Sequence, residues 1–378
     1  MEYVKLEEIC TIVSGGTPSR SKPNYWNNGN IPWIKIKDMK SKYIDSAEEF
    51  ITEEGLNNSS TKMLKRDTIL YSIFATLGEV GILKIDACTN QAIAGLSLKE
   101  DSNILKEYLY YYLKSKKKDV NNLGRGVAQN NINLSLLRKF KIPVIPLRQQ
   151  KKIIEVLDNV SSTINNYERE LTLLDELVKA RFVEMFGDPV ENTMNWPEIF
   201  IGDKCFVTKL AGFEYTQYID YEESGEVVMV KAQNVKNGKL NRKDLSFISK
   251  KVSDSLPRSQ LAPGDVVMTY VGANIGDVAV IDDVYKYHLA PNVAKIRPNA
   301  EVYNSIYFMY MLMLLNIYIV KNSADTAKAA LGMERIRKLK VFIPPLELQN
   351  QFASFVEEID KSRLLSNHSL YLIKSINF

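Results

Sequence analysis

The feature of this chain that most restricts its fold is an internal duplication. A shift of about 199 residues brings two halves of the sequence into register. The shift places residues 140–150 on 339–349, and both segments run from apolar residues through proline and leucine to a glutamine. Asp67 falls on Asp265 in the same register. Because the repeat is as long as a whole domain, the sequence predicts two copies of one folded unit.

Each half reads as a β-rich globular part followed by a long helix. Short apolar runs bounded by Gly, Pro, Asn or Asp predict strands at 31–36, 68–74, 227–232 and 265–271. After Pro146 and Pro345 the sequence becomes rich in polar helix formers, which predicts helices. The predicted fold class is α+β, with two β-rich domains related by a pseudo-twofold axis and separated by an antiparallel two-helix coiled coil. The predicted segments are a first globular domain at 1–147, a first helical spacer at 148–195, a second globular domain at 196–345 and a second helical spacer at 346–378.

The first predicted helix carries an apolar seam whose residues alternate at spacings of four and three, which indicates a coiled coil. The second helix repeats this seam, but Arg363 and Ser366 interrupt it. Either the pairing loosens at these residues, or Leu364 and Leu365 replace them. We expect the two helices to pair with each other; the alternative is a seam that dimerises with another chain. The predicted seam residues are Ile153, Leu157, Val160, Ile164, Tyr167, Leu171, Leu174 and Val178, followed in the second helix by Phe352, Val356, Ile359, Leu370 and Ile373.

No segment of the sequence indicates export or membrane insertion. The apolar stretch at 306–320 is shorter than the ~20 residues that cross a bilayer, so it is interpreted as a buried helix. The first ten residues hold three glutamates and no apolar run, unlike a signal peptide. The cysteines Cys10, Cys88 and Cys205 lie far apart, which disfavours a zinc site or a disulfide framework and favours buried apolar roles. A cytoplasmic location is expected.

Charge divides the chain along the same lines. The net charge is +4 overall, but the two globular parts carry +5 and +3, whereas the two spacers carry −3 and −1. Because phosphate contacts need lysine and arginine, the globular parts are the candidates for binding nucleic acid. The alternative is an ordinary solvated surface. A helix over residues 151–182 would be ~48 Å long, compared with ~34–36 Å for one turn of DNA. This geometry suits a reader of two short sites separated by a fixed gap.

Several motifs, doubled at the same offset, carry a family resemblance. The chain resembles the specificity (S) subunit of type I restriction–modification systems over essentially its whole length. Each motif is weak alone, and their order is what makes the resemblance specific. The motifs are LEEICTIVSGGTP at 6–18, IPWI at 31–34 with Asp38, GVAQNNI at 126–132, IPVIPLRQQ at 142–150, FGDP at 186–189 before Trp196, ALGMERI at 330–336 and IPPLELQ at 343–349.

The resemblance implies two target-recognition domains that each read one half of a split DNA site. The helices would act as a spacer and as the docking platform for two modification (M) subunits, which carry S-adenosylmethionine and methylate an adenine in each half-site. Restriction (R) subunits, which use ATP and Mg²⁺, would join for cleavage. This chain itself would hold no cofactor. The alternative is a specificity subunit of a methylation-only complex.

Candidate DNA contacts are polar side chains on loops and strand ends, because Asn and Gln suit adenine and Arg and Lys suit guanine. Lys35 and Lys37 in the first half correspond to Lys231 and Gln233 in the second, so the two copies differ where they would meet DNA. For each candidate the alternative is a structural role. The candidates are Thr17, Ser19, Arg20, Lys22, Tyr25, Lys35, Lys37, Asp38, Tyr71, Ser72, Thr76, Gln91, Arg125 and Gln129 in the first half, and Lys231, Gln233, Asn234, Tyr270, Asn274, Asn292 and Lys328 in the second.

Signals of catalysis are weak. The sequence contains neither a G-x-x-x-x-G-K-S/T phosphate loop nor the Asn-Pro-Pro-aromatic tetrapeptide of adenine methyltransferases. With His288 and His368 as the only histidines, a histidine-based triad or metal site is disfavoured. We therefore expect a recognition subunit that is not an enzyme. The alternatives from other classes are a self-contained DNA modification enzyme and a scaffold whose DNA contacts are incidental.

Overall fold

The computed structural model describes residues 2–124, 132–323 and 331–375, with side chains at all of these positions except 123–124 and 317–323. The chain forms two compact units. Unit 1 comprises Met1–Asn166 and Leu372–Phe378, and unit 2 comprises Tyr167–Tyr371. The helix Leu147–Phe186 runs through the boundary, so each unit contains a globular part and a portion of both long helices.

Unit 1 is built on a five-stranded sheet with a three-stranded sheet beside it. The strands lie mostly antiparallel, apart from parallel pairs between Trp33 and Cys88 and between Tyr43 and Ile82. The five-stranded sheet has the order Cys10–Ser14, Ile93–Leu98, Ile69–Ser72, Val80–Leu83 and Tyr43–Ile44; the three-stranded sheet has the order Glu49–Ile51, Ile31–Ile34 and Cys88–Thr89; and Glu2–Lys5 pairs with Lys141–Val144.

Unit 2 repeats this arrangement, strand for strand, over most of its globular part. Its two main sheets have four strands each. The parallel pair found in the three-stranded sheet of unit 1 recurs in unit 2 between Val227 and Lys286. The first sheet has the order Cys205–Lys209, Val293–Pro298, Val266–Thr269 and Val278–Val280; the second has the order Ser246–Ile248, Val227–Val230, Lys286–Leu289 and Gln260–Leu261; Val235–Lys236 pairs with Lys239–Leu240, and Glu198–Phe200 pairs with Lys340–Phe342. The predicted duplication and α+β class are confirmed.

Each predicted spacer contains one long helix, and the first helix ends before the predicted end of its spacer at 195. The first spacer helix is Leu147–Phe186 and the second spacer helix is Leu346–Ser375. The apolar stretch at 306–320 lies in the helix Ser305–Ser323, and no helix in the described part of the chain is long and apolar enough to cross a membrane. The other helices are Leu6–Ile9, Glu53–Asn57, Lys106–Ser115, Lys117–Gly124, Leu134–Arg138, Ile201–Lys204, Gly212–Tyr218, Lys250–Ser255 and Met333–Arg337.

The strand Ile69–Ser72 of the five-stranded sheet is buried on both faces, and so is the equivalent strand Val266–Thr269 of unit 2. In Ile69–Ser72, Ile69 and Tyr71 belong to one apolar cluster and Leu70 to another. In Val266–Thr269 the same alternation places Val266 in one cluster and Val267 in another. Successive side chains of a strand face opposite sides of the sheet. A sheet covered on both sides therefore needs a continuous apolar run, and that run is the signal by which the sequence predicts these strands.

A buried glutamine ties each spacer helix to the globular part before it. The Gln150 amide donates to the carbonyls of Asn103 (2.8 Å) and Ile145 (2.9 Å) and accepts from the Leu105 N–H (2.7 Å). The side chain is fully buried. One amide thus joins the first turn of the spacer helix, the end of the preceding strand and the start of the helix Lys106–Ser115.

The same clamp recurs in unit 2. The Gln349 amide donates to the carbonyls of Val302 (3.0 Å) and Pro344 (2.8 Å) and accepts from the Asn304 N–H (2.9 Å). Each partner stands at the position that the sequence offset gives for its counterpart in unit 1. The duplication therefore extends from the sequence to individual hydrogen bonds.

The two spacer helices pair in antiparallel fashion within unit 2. Phe182 packs edge-on against Phe352, with ring centroids 5.4 Å apart. Arg363 forms an ion pair with Asp175 (2.5 Å), and the Ser366 hydroxyl donates to Glu170 (3.0 Å). Contacts move backward along the first helix as they move forward along the second. This confirms the predicted antiparallel coiled coil within one chain.

The seam keeps its register through the polar interruption. Arg363 and Ser366 are 4% and 5% exposed, whereas Leu364 and Leu365 are 70% and 72% exposed. The expectation that the pairing loosens, or that the two leucines replace the polar residues, is wrong. The buried guanidinium pairs with Asp175 and Asp360 (2.6 Å) and donates to the Leu174 carbonyl, while its Nε–H has no hydrogen-bond partner. The polar residues therefore hold seam positions with the charge paired.

The first seam position is also corrected. Ile153 is 38% exposed, and its neighbour Ile154 packs with Leu157 against the first globular core. Near its start the spacer helix covers the globular part, so its apolar face follows that surface. From Leu157 to Val178, each predicted position of the first helix is half-buried or buried.

Replacing Gln349 by alanine should destabilise the chain. Asn304 N–H and the carbonyls of Val302 and Pro344 would lose their shared partner, and a loss of about 2–4 kcal/mol in the free energy of unfolding is expected. Urea unfolding of the full chain measures this. Gln351→Ala, at an exposed position of the same helix, is the matched control, and equal midpoints for the two variants would contradict the clamp.

Arg363→Ala and Leu364→Ala should differ in stability despite their adjacency. Removal of the buried guanidinium should cost about 1–3 kcal/mol, whereas the exposed leucine should change stability by no more than about 0.5 kcal/mol. Thermal unfolding of both variants provides the comparison. A larger loss for Leu364→Ala would show that the seam runs through the leucines after all.

Candidate nucleic-acid interface

The loop at 15–30 in unit 1 is held by contacts along its length. The indole N–H groups of Trp26 and Trp33 donate to the carbonyls of Ser19 (3.1 Å) and Gly16 (3.0 Å). A Cβ atom added at Gly16 would lie 2.5 Å from the Thr61 backbone nitrogen, so only glycine fits there. The loop is therefore a preformed surface on which side chains have fixed positions.

Arg20 is held on this loop by an aromatic ring and a carboxylate. Its guanidinium carbon lies 3.6 Å from the Trp26 ring centroid, and its Nη2 atom lies 2.5 Å from Glu49 Oε2. Lys35 donates to the other oxygen of Glu49. Burial acts to raise the pKa of the Glu49 carboxyl, but hydrogen bonds from Lys35 and Arg20 outweigh burial and lower that pKa. Glu49 is thus a carboxylate shared by two of the candidate DNA contacts.

Other candidates of unit 1 surround this cluster. Lys22 donates to the Tyr25 hydroxyl (2.9 Å), and Thr17 donates to Gln91 across the loop. Lys37 forms an ion pair with Glu48, and the hydrogen bond from Lys37 lowers the pKa of the Glu48 carboxyl. Ser19 and Ser21 share a hydrogen bond of 2.8 Å between their hydroxyls.

Three loops meet at one end of the five-stranded sheet. Ser14, Ala94 and Tyr71 lie level across three neighbouring strands. Beyond them come the loop at 15–30, the turn that carries Gln91 and the turn that carries Thr76. Both Gln91 and Thr76 are exposed. The sheet thereby brings residues far apart in sequence to one surface, which we call the loop end of unit 1.

Unit 2 has the same loop end. Lys209, Ala294 and Met268 lie level across the equivalent strands, followed by the turns that carry Asn292 and Asn274. Asn292, Asn274 and Gln233 are exposed, and Tyr270 is half-buried. Lys231 donates to the Ser246 hydroxyl (2.8 Å) and to the Asp244 carbonyl (3.2 Å).

Five candidates have structural roles, and one of them is Tyr25, whose side chain is only 3% exposed. Asp38 accepts from the Lys35 N–H (2.7 Å), and Asn234 accepts from the Lys231 N–H (3.1 Å) while it donates to the Asn241 carbonyl (2.9 Å). Both residues close the same short 3-10 turn in their units. Asn234 is only 3% exposed. These bonds argue against Asp38 and Asn234 as contacts to DNA.

Tyr71 and Ser72 are the other two. Both are fully buried, and the Ser72 hydroxyl donates to the Thr76 carbonyl (2.5 Å) and accepts from the Glu79 N–H (2.7 Å). Their place in a central strand puts them in the core rather than at its rim. Three further candidates, Arg125, Gln129 and Lys328, lie outside the described residues.

The sequence interpretation missed Trp26, Glu48 and Glu49, and in unit 2 it missed the aromatic residues of the helix Gly212–Tyr218. Phe213 is 62% exposed, and the rings of Tyr215 and Tyr221 lie 6.2 Å apart. In the sequence, nothing sets Glu48 and Glu49 apart from other surface carboxylates. Only their pairing with lysines across a strand shows that they organise the surface.

The loop end is thus repeated on two copies of one fold with different side chains. The chain matches the family model of the type I restriction modification DNA specificity domain, over residues 1–175 and again over 194–374. The chain therefore belongs to this family, as its sequence motifs indicate.

Named relatives support the same assignment. The EcoR124I/EcoR124II specificity subunit of Escherichia coli is 34% identical over 188 residues, a match that covers 48% of this chain and 46% of that protein. The MjaIX specificity subunit of Methanocaldococcus jannaschii is 24% identical over 393 residues, covering 98% of this chain and 89% of the relative. Both are named as specificity subunits of a type I restriction enzyme, which supports the interpretation of a recognition subunit rather than an enzyme.

Solved structures share the fold. The S subunit of a type I restriction–modification system from M. genitalium aligns over 100% of this chain and 93% of its own, with a TM-score of 0.55 and 15% identity. A chain from a structural study of complex assembly and conformational transition in the type I R-M system aligns over 100% and 95%, with a TM-score of 0.61 and 15% identity.

Asn234 and its neighbour Gln233 should respond differently to alanine. Asn234→Ala would leave the Lys231 N–H and the Asn241 carbonyl without their partner, so a loss of about 1–3 kcal/mol in the free energy of unfolding is expected. Gln233→Ala should change it by no more than about 0.5 kcal/mol, because its side chain is exposed. Urea unfolding of the full chain checks both. Equal losses would mean that Asn234 does not close the turn.

Proposed function

We propose that this chain is the DNA-reading subunit of a type I restriction–modification complex and that each globular part reads one half of a two-part DNA site. This proposal rests on the contrast between the repeated strands and the differing side chains of the loop ends. The strands and the glutamine clamp repeat in both units, whereas the side chains at the two loop ends differ, as Lys35 with Glu49 and Lys231 with Ser246 show.

The chemistry of the loop ends supports the reading of bases. Arginine and lysine are suited to guanine, and asparagine and glutamine to adenine. The loop end of unit 1 offers Arg20 and Lys35 with Gln91, whereas that of unit 2 exposes Gln233, Asn274 and Asn292. Exposed cationic candidates such as Lys22 and Lys37 would contact phosphate, and such contacts position a protein without specifying a sequence.

The spacer helices would hold the methyltransferase (M) subunits. In unit 2 these helices expose apolar side chains beside the buried seam, and such patches mark interaction surfaces. The exposed residues are Leu173, Leu177 and Val183 on the first helix and Leu364, Leu365 and Tyr371 on the second. In this proposal the M subunits supply S-adenosylmethionine and the methyl transfer, and R subunits, where present, supply ATP-dependent cleavage. The role predicts a cytoplasmic location, where the DNA substrate lies.

Arg20→Ala should weaken the binding of the complex with M subunits to its DNA site by about 1–3 kcal/mol, because an arginine contact to a base is lost. The measurement is a titration of labelled duplex at fixed salt. Lys5→Ala is the control, because Lys5 is exposed and lies beyond the other end of the strand Cys10–Ser14. Unchanged affinity and site preference for Arg20→Ala would remove this loop from the proposed interface.

Incubation of DNA with labelled S-adenosylmethionine tests the proposed division of labour. The chain alone should transfer no label, and the complex with M subunits should methylate sites that share a two-part sequence. Methyl transfer by the chain alone would replace the proposal with a self-contained enzyme. Methylation by the complex at sites without a common two-part sequence would overturn the proposed reading function.

A further inference from the structure

Glu49 and Ser246 occupy the same place in the two units. Glu49 lies opposite Trp33 in the antiparallel pair of unit 1, and Ser246 lies opposite Met229 in the equivalent pair of unit 2. Lys35 follows Trp33 by two residues, and Lys231 follows Met229 by two residues. Lys35 donates to Glu49, and Lys231 donates to Ser246. The contact is therefore shared, but its acceptor is a carboxylate in unit 1 and a hydroxyl in unit 2.

Glu49 has a second partner that has no equivalent at Ser246. Glu49 also binds Arg20, which stacks on Trp26. Counted from the end of the preceding strand, the positions of Arg20 and Trp26 are taken in unit 2 by Tyr215 and Tyr221. These two tyrosines contact each other. Unit 1 thus holds an arginine–tryptophan contact with a carboxylate. Unit 2 holds a tyrosine pair at the same count from the strand and a lysine–hydroxyl bond at Ser246.

We propose that Glu49 and Ser246 mark a specificity-determining position, and that Glu49 is the positioning residue that fixes Arg20 to read a guanine in the half-site of unit 1. This inference rests on the proposed function. In unit 2 the same position carries no arginine–carboxylate pair, so that unit does not use this device for its own half-site.

Arg20 keeps N–H donors that Glu49 does not take. A guanidinium carries five N–H donors in one plane. The Trp26 ring covers one face of that plane and Glu49 takes a donor at one edge, while the side chain remains 54% exposed. The remaining donors are presented in a fixed direction, and guanine offers two adjacent acceptors, O6 and N7, in the major groove.

The carboxylate also opposes indiscriminate binding. An ionised Glu49 offsets the positive charge of Arg20 and Lys35, which reduces their attraction to phosphate at any sequence. It is itself disfavoured beside a phosphate. Contact at this point is then favourable only where a base edge accepts the donors of Arg20. Glu49 thus sharpens the base preference while it lowers the affinity for DNA of any sequence.

Glu49→Gln tests the inference, with Glu48→Gln as the matched control. Both variants remove one carboxylate from adjacent residues, but Glu48 pairs with Lys37 and not with Arg20. Each variant is assembled with M subunits, and binding is measured to duplexes in which every position of the two-part site is changed in turn. For Glu49→Gln, discrimination at one guanine in one half-site should fall by about tenfold or more. The other half-site should be read as before.

Arg20→Lys supplies an independent variant. It keeps the positive charge but loses the fork of donors, so it should lose the preference for the same guanine as Glu49→Gln while it binds DNA with similar overall affinity. This variant decides the question if Glu49→Gln does not fold. Loss of discrimination at the same guanine in both variants supports the inference.

The outcomes separate the inference from the function on which it rests. If the unaltered complex discriminates a two-part site and both Glu49→Gln and Arg20→Lys keep every base preference, the inference is overturned and the proposed function stands. If Glu48→Gln and Glu49→Gln have equal effects, general charge explains them and the inference is also overturned. If the unaltered complex shows no two-part preference, the proposed function itself fails.

Discussion

In each unit, one buried glutamine amide fixes the start of a spacer helix through its hydrogen bonds. Gln150 and Gln349 are fully buried, and each bonds a backbone N–H and two carbonyls. A buried polar group without a partner costs more free energy than a formed hydrogen bond contributes. The start of each spacer helix is therefore fixed relative to the globular part that precedes it. In unit 2 the seam of the helix pair follows from that starting point.

Buried strands and the loops at their ends are under different restrictions. Strands buried on both faces tolerate few side chains, so their residues serve the core, as Tyr71 does. Loops at the strand ends carry no such restriction, and they meet on one surface because the sheet aligns their strands. A protein built in this way can change its loop residues, such as Arg20 or Tyr215, while its sheets remain the same. This accounts for two copies of one fold with different side chains at their loop ends.

Polar residues inside the frame show how far sequence patterns lead. Arg363 breaks an apolar stripe, and a pattern that counts only apolar residues directs the seam to Leu364 instead. In the structure Asp175, Asp360 and a backbone carbonyl bind the guanidinium, so the arginine is buried with its charge paired and the leucine is exposed. Asp38 and Asn234 were predicted as DNA contacts for their chemistry, yet both close turns. Asp175 comes from the other spacer helix and leaves no mark in a local apolar pattern, whereas Asp38 and Asn234 bond backbone groups close in sequence.

The sequence by itself determined the duplication, the α+β class, the buried strands and helices, and the family, because each depends on local periodicity or on motifs in fixed order. It also placed Arg20, Lys35 and Gln91 among the candidates by residue type. Only the tertiary structure decided which candidates share a surface, which are buried, and that Glu49 links Arg20 to Lys35. These relations join residues from separate strands and loops, and the sheet that brings them together forms only when the whole unit folds.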